Sequence, residues 1–190
     1  RAATIALLKT SEGFEAITAA IINYGDDAKM QTAVASVLNS IVEKSDVTAA
    51  VATFKEAAGK LSKDDDKASS NIRSALEKLT AYSISAVSAP WVLEAGGLDA
   101  MISVLKSTAI DNEIPEQEAI ISLCTTAINK LLQNSDSRAE VLAKFTDKKL
   151  LKSVMTSIKM NPQINSTAAM RLIQTLASEK SIQDLLISCG

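Results

Sequence analysis

A short apolar pattern recurs four times along this chain, at intervals typical of helical repeat proteins. An apolar or small residue precedes aliphatic-x-x-aliphatic, and the leading aliphatic residue is Leu38, Leu76, Ile128 and Ile173 in turn. The spacings scatter around the roughly 40 to 47 residues of two- and three-helix repeats. Such self-similarity predicts stacked units that cover one another's apolar faces.

Two further patterns keep step with the first. An apolar patch begins at Val51, Val141 and Leu186, at a nearly constant distance after the recurring pattern. Amphipathic segments lie between these patches and the next copy of the pattern, over 14–22, 51–61, 98–105 and 150–158. Apolar residues at i, i+3, i+4 and i+7, as from Leu98 to Leu105, form one stripe of an α-helix. Each unit is therefore predicted to contain a short first helix, an amphipathic second helix and a more apolar third helix.

Polar turns are expected between the second and third helices. They contain Asp, Asn, Gly or Pro, residues that end one helix and cap another, and they cover 24–30, 62–68, 108–117 and 161–165. The approximate units of this single helical array are 1–13 (partial), 14–50, 51–96, 97–148 and 149–190. Both ends resemble parts of a unit, so we expect the chain to be an excerpt of a longer protein.

The segment 90–105 resembles the most recognisable part of an armadillo repeat. There, as in Gly96-Gly97-Leu98, a short helix ends at two glycines and the next helix begins with an aliphatic residue. Glycine permits this sharp turn because it tolerates positive φ. The resemblance implies an all-α fold, a right-handed α-solenoid of about four armadillo-like repeats. It also implies that third helices form a concave groove that binds an extended peptide or a helix of another protein.

Candidate partner-binding residues follow from the third helices. If the leading aliphatic residues point inward, the positions two before and one after them share another helix face. These positions hold Ser36 with Asn39, Ser74 with Glu77, Thr126 with Asn129, and Arg171 with Gln174. Such a ladder can hydrogen-bond the backbone of an extended partner. A merely solvated helix face is the alternative.

Three other features have structural interpretations beside functional ones. Trp91 is either a binding anchor or, as we expect, a side chain packed against the next unit. The acidic run 63–67 lacks the Gly and terminal Glu of a calcium loop and predicts a solvated turn. Cys124 lies in an apolar run and is expected to be a small buried residue.

Composition argues against several functional classes. The 20 basic and 22 acidic residues are scattered, which disfavours a nucleic-acid partner. No apolar run reaches the ~18 residues of a membrane-spanning helix, so no membrane insertion is expected. Histidine is absent, and so are phosphate-binding, dinucleotide-binding and nucleophile motifs, so we expect neither catalysis nor a cofactor or metal.

The functional hypothesis is thus a non-enzymatic scaffold that binds a protein or peptide along its third helices. We expect a cytoplasmic protein, with association to the cytoskeleton as a further expectation. One alternative is a structural spacer in a cytoskeletal or axonemal assembly, where surfaces near Lys106 and Lys152 would make the contacts. Another alternative is a client-binding chaperone module.

Overall fold

The computed structural model describes residues 10–24, 27–61, 66–108, 116–160 and 167–189. Within these ranges every regular element is an α-helix and no strand occurs, which confirms the predicted all-α class. The helices are α1 (Ser11–Tyr24), α2 (Ala28–Ile41), α3 (Lys44–Ala58), α4 (Asp66–Ile84), α5 (Ala89–Glu94), α6 (Gly97–Thr108), α7 (Gln117–Gln133), α8 (Ser135–Phe145), α9 (Lys148–Met160), α10 (Thr167–Ala177) and α11 (Lys180–Cys189).

Helix starts are fixed by polar side chains that satisfy free backbone N–H groups. The carboxylate of Asp27 accepts hydrogen bonds from the amides of Lys29 at 2.8 Å and Met30 at 3.2 Å, and so begins α2. At the start of α3, the amide of Glu43 donates to Asp46 at 3.0 Å. The predicted turn 24–30 covers the end of α1 at Tyr24 and the start of α2 at Ala28. The predicted turn 161–165 and most of those at 62–68 and 108–117 lie outside the described residues.

The helices that carry the recurring pattern pack against one another in chain order. We call α2, α4, α7 and α10 the third helices: α2 contacts α4, α4 contacts α7 over the most extensive interface, and α7 contacts α10. The amphipathic helices α3, α6 and α9 also pack in order, and the short α5 contacts α8. Helices that share the same predicted position in the repeat therefore contact one another.

The core lies between these rows of helices and consists mainly of aliphatic side chains. Leu38, Leu76 and Ile128 are fully buried, as the recurring pattern predicts. In α10 the buried residues are Leu172 and Leu176, while Ile173 is half-buried. The predicted inward stripe is therefore wrong by one residue in the last third helix.

Cys124 and Trp91 occupy the structural positions expected of them. Cys124 is fully buried, which confirms the prediction, and burial raises the pKa of its thiol well above the usual range. Trp91 is partly buried and packs against the core. Neither side chain is presented on the surface as a reactive group or as a fully exposed anchor.

The two glycines make the sharp turn that the sequence predicts. Gly96 has a φ of +76°, in the left-handed region, and it separates α5 from α6. A Cβ at Gly97 would lie 2.8 Å from Cγ1 and 2.9 Å from the carbonyl oxygen of Val92. The absence of side chains here allows α6 to fold back closely over α5.

One unit differs from the predicted three-helix order. The apolar patch at Val51 and the amphipathic segment 51–61 belong to one helix, α3, which begins at Lys44 and ends at Ala58. No glycine interrupts it, so nothing divides a first helix from a second there. Residues 5–8, most of the acidic run 63–67 and Pro115 lie outside the described residues.

Candidate functional site

A polar groove lies between α2 and α7, across the end of α4. Its volume is about 520 Å³. Amide, hydroxyl and small apolar groups form most of its walls, and Lys130 supplies the one formal charge among the described lining residues. The lining residues are Gln31, Thr32, Ala35, Ser36, Asn39, Ile84, Ala86, Lys130, Gln133, Asn134 and Ser135.

Two of the predicted ladder residues form the α2 wall of this groove. Ser36 and Asn39 are both exposed on α2. The Asn39 Oδ1 accepts a hydrogen bond from the Ser85 hydroxyl in the turn after α4. Ser85 Oγ in turn accepts bonds from the amides of Val87 at 3.1 Å and Ser88 at 3.2 Å. The contact with Ser85 therefore fixes the orientation of the Asn39 amide, and Asn39 lines the groove.

The α7 wall contains the cation of the groove. Lys130 is 5% exposed, and its Nζ donates to Gln133 Oε1 at 3.1 Å. Asn134 caps α8, because its Oδ1 accepts from the Asp136 amide at 3.1 Å. The wall thus combines an ammonium group with fixed amides.

Thr126 and Asn129 occupy a different environment, although the sequence placed them on the same ladder. Thr126 is 7% exposed, and its hydroxyl donates to the Ser122 carbonyl at 2.8 Å. Asn129 is 4% exposed, and its Oδ1 accepts from the Thr175 hydroxyl at 2.9 Å. The Asn129 contact lies between α7 and α10, so this residue joins helices rather than facing the groove.

Glu77 belongs to a charged cluster near the start of α7. Arg73 donates to Glu77 through Nε and to Glu116 through Nη1, both at 3.3 Å. Burial raises the pKa of Glu77, and although Arg73 opposes this shift, the charge of Glu15 reinforces it. The guanidinium bridges α4 and the residue preceding α7, which identifies Glu77 as part of a joint between third helices.

The remaining ladder residues are dispersed. Ser74 is half-buried and lines a second cavity, between α1, α3 and α4. On α10, Arg171 is half-buried and Gln174 is exposed. The structure therefore brings Ser36 and Asn39 together in the groove and separates the other six residues from it. Their predicted role in partner binding stays a prediction.

Sequence reasoning missed several groove residues that a longer helix-face argument would have found. Thr32 lies four residues before Ser36, one turn earlier on the same face of α2. Gln133 lies four residues after Asn129 on α7. The contribution of Ile84 and Ala86 had no sequence signal, because it depends on where α4 ends between α2 and α7.

Chemical and evolutionary comparisons add no further assignment. Within the described ranges, no group of three or more metal-ligating side chains is close enough together to hold an ion. None of the described helices is both long and apolar enough to cross a membrane. Comparison with protein-family models, with curated proteins and with solved structures found no match.

Proposed function

We propose that this protein is a non-enzymatic protein-interaction scaffold, a right-handed α-solenoid of armadillo-like units that holds an extended peptide in the groove between α2 and α7. The observation that carries the proposal is the groove itself, where Ser36 and Asn39 face the polar wall of α7. Side-chain amides offer both a donor and an acceptor, which is what a peptide backbone requires.

Support for stacked units comes from six polar contacts between distant parts of the chain, although the Thr18 hydroxyl also donates to the Glu77 carbonyl, 59 residues away. Lys55 Nζ donates a hydrogen bond to the carbonyl of Ala95, which lies 40 positions further along the chain. The contacts Arg138–Glu179, Thr80–Leu123 and Lys144–Asp99 span 41, 43 and 45 residues. Asn39–Ser85 and Asn129–Thr175 each span 46 residues. Separations close to one repeat length are expected when each unit contacts the next one.

The lining of the groove favours a peptide over a hydrophobic client. Gln31, Asn39 and Gln133 contribute amide groups to the lining, and Ile84 and Ala86 contribute a small apolar surface. A backbone held by amides, with an alternate side chain over the apolar surface, is a recurring mode of peptide recognition. Lys130 adds a preference for a carboxylate on the bound segment.

Peptide selection with a groove-blocking variant tests the proposal. Random peptides displayed on phage are selected on the purified chain, and the Kd of synthetic versions is measured. We expect Ser36→Trp to weaken binding at least tenfold, because an indole at this exposed position fills the groove. Ser107→Trp, on the exposed face of α6, is the matched control and is expected to leave the Kd unchanged. Thermal unfolding of both variants confirms that they are folded.

Two results would overturn the groove assignment. One is that selection yields no peptide with saturable binding to the folded chain. The other is that Ser36→Trp and Ser107→Trp bind selected peptides equally well.

A structural-spacer function is the second candidate, and the burial of Asn129 favours it. A side chain committed to the α7–α10 contact serves the array rather than a ligand. In that case Lys106→Glu and Lys152→Glu, on exposed positions of α6 and α9, should weaken assembly, whereas Ser36→Trp should have no effect. Co-sedimentation with the native assembly distinguishes the two functions.

A further inference from the structure

A second cavity of about 310 Å³ lies on another part of the molecule, between α1, α3 and α4. Its floor is apolar and includes Phe14, Ala50, Ala75 and the ring of Tyr82. Polar side chains, including Asp46 and Lys78, also line it. A small volume with an apolar floor and a few polar groups is typical of a small-molecule site.

Tyr82 contributes to this cavity a hydroxyl that has no hydrogen-bond partner in the described structure. Tyr82 is 3% exposed, and its ring packs edge-on against Phe14 with centroids 5.3 Å apart. Its hydroxyl makes no hydrogen bond to any described residue. Burial, reinforced by the charge of Asp46, raises the pKa of Tyr82, so the hydroxyl keeps its proton at neutral pH. Among the described side chains, the fully buried polar atoms without a partner are the hydroxyls of Ser69 and Ser137, so the unpaired Tyr82 hydroxyl is accessible from the cavity, where a ligand can accept its hydrogen bond.

The cavity also contains one group of each charge. Lys78 is half-buried on α4 and forms no ion pair with a described residue. Asp46 lies at the start of α3, where its Oδ2 accepts a hydrogen bond from the backbone amide of Glu43. Lys78 and the Tyr82 hydroxyl can both donate to an anion, while the Asp46 carboxylate favours a cation. The charge pattern of the lining is therefore that of a receptor for a zwitterion.

We propose that this cavity binds a small zwitterion with an apolar body, of the chemical class of an α-amino acid with an aliphatic or aromatic side chain. The carboxylate of the ligand accepts hydrogen bonds from Lys78 and Tyr82, and its ammonium group lies toward Asp46. The apolar side chain covers Phe14 and Ala75. This site is separate from the peptide groove, and the two assignments stand or fall independently.

Calorimetric titration with L-phenylalanine and L-leucine tests the proposal, with saturation-transfer NMR as a second readout. We expect saturable binding of at least one of the two amino acids. The analogues 3-phenylpropionate and phenethylamine, which each lack one charge, are expected to bind at least tenfold more weakly than phenylalanine. Tyr82→Phe and Lys78→Met should each weaken binding at least fivefold. The matched controls Tyr24→Phe and Lys106→Met, at exposed positions, should not change the Kd.

The stability of Tyr82→Phe separates a ligand role from a structural one. Since the hydroxyl has no partner in the described structure, its removal is expected to leave the unfolding temperature of the free chain unchanged or slightly higher. Weaker binding in a variant of undiminished stability supports the proposal. Absence of binding by both amino acids overturns it, as does equal binding of phenylalanine and 3-phenylpropionate, or an equal Kd in Tyr82→Phe and the unaltered chain. Peptide binding in the groove, blocked by Ser36→Trp, is unaffected by any of these outcomes.

Discussion

Gly97 shows how a single missing side chain sets the angle between two helices. The chain folds back so closely that an added Cβ would lie 2.8 Å from Val92 Cγ1 and 3.3 Å from Val51 Cγ2. Val92 precedes the turn and Val51 lies on α3, so three helices meet at this point. The backbone of Val92 cannot move away without shifting α5, which makes the position intolerant of any larger residue.

Gly97→Ala is therefore expected to lower the free energy of unfolding by about 1–3 kcal/mol. Gly59→Ala is the matched control. Its Cβ would meet only ordinary contacts, at 3.5 Å and 3.6 Å, and its φ of −68° suits alanine. This second substitution should be neutral or stabilising, because alanine restricts the unfolded chain. Urea unfolding of the two variants measures the difference, and equal stabilities would contradict the tight packing at Gly97.

Two buried serines on or near α4 differ in hydrogen bonding and should respond oppositely to truncation. Ser69 Oγ is buried and has no hydrogen-bond partner in the described structure. Ser88 Oγ, equally buried, donates to the Tyr82 carbonyl at 2.6 Å. We expect Ser69→Ala to be neutral or to stabilise the protein by up to about 1 kcal/mol, and Ser88→Ala to destabilise it by about 1 kcal/mol. Thermal unfolding checks both, and a loss of stability in Ser69→Ala would reveal a partner for its hydroxyl.

At the level of helices, the charged contacts of Arg73 with Glu77 and Glu116, between α4 and the start of α7, make the stability of the fold depend on pH. Because the pKa of Glu77 is raised in the folded state, chiefly by burial, the folded chain holds its proton more strongly than the unfolded chain. The contribution of Glu77 to stability therefore falls as pH rises above its ordinary pKa. Relative to the unaltered chain, Glu77→Gln should become progressively more stable from about pH 4 to about pH 7. Unfolding temperatures measured across this range test the trend.

Glu56→Gln provides the control for that pH trend. A hydrogen bond from Lys60 lowers the pKa of Glu56, so its stabilising contribution is present at higher pH and lost as pH falls. The sign of its pH dependence is opposite to that of Glu77, and its size should be small because the pair is exposed. If both variants showed the same trend, the assignment of burial as the cause at Glu77 would be wrong.

The helices were predictable from sequence because local signals determine them, whereas the sites depend on how helices meet. The stripe from Leu98 to Leu105 predicted α6, and Gly96 predicted its start. The ladder argument assumed that each third helix leaves one face open. That assumption is satisfied at Asn39, but at Asn129 the same helix face is covered by α10. The cavity of Tyr82 draws on three helices far apart in sequence, so no local pattern could have revealed it.

At the scale of the whole molecule, Asn39 and Asn129 make similar hydrogen bonds to residues further along the chain. Each asparagine accepts a hydroxyl hydrogen bond from a residue 46 positions further along the chain. In the proposed solenoid, both would be joints between successive units. In a stack where each unit contacts only its neighbours, damage to one joint should remain local.

Hydrogen exchange in two matched variants tests this locality. Asn129→Ala removes the acceptor of the partly buried hydrogen bond from Thr175, at a cost of about 1–2 kcal/mol in stability. Amide exchange should therefore quicken roughly tenfold or more in α7 and α10. Exchange in α2 and α3 should stay unchanged. Asn39→Ala should have the reverse pattern. Amide exchange should become faster in α2 and around Ser85, and the exchange rates in α9 to α11 should stay unchanged. Because stacked units open separately and a closed globule opens as one, a uniform increase in every helix of either variant would exclude the solenoid.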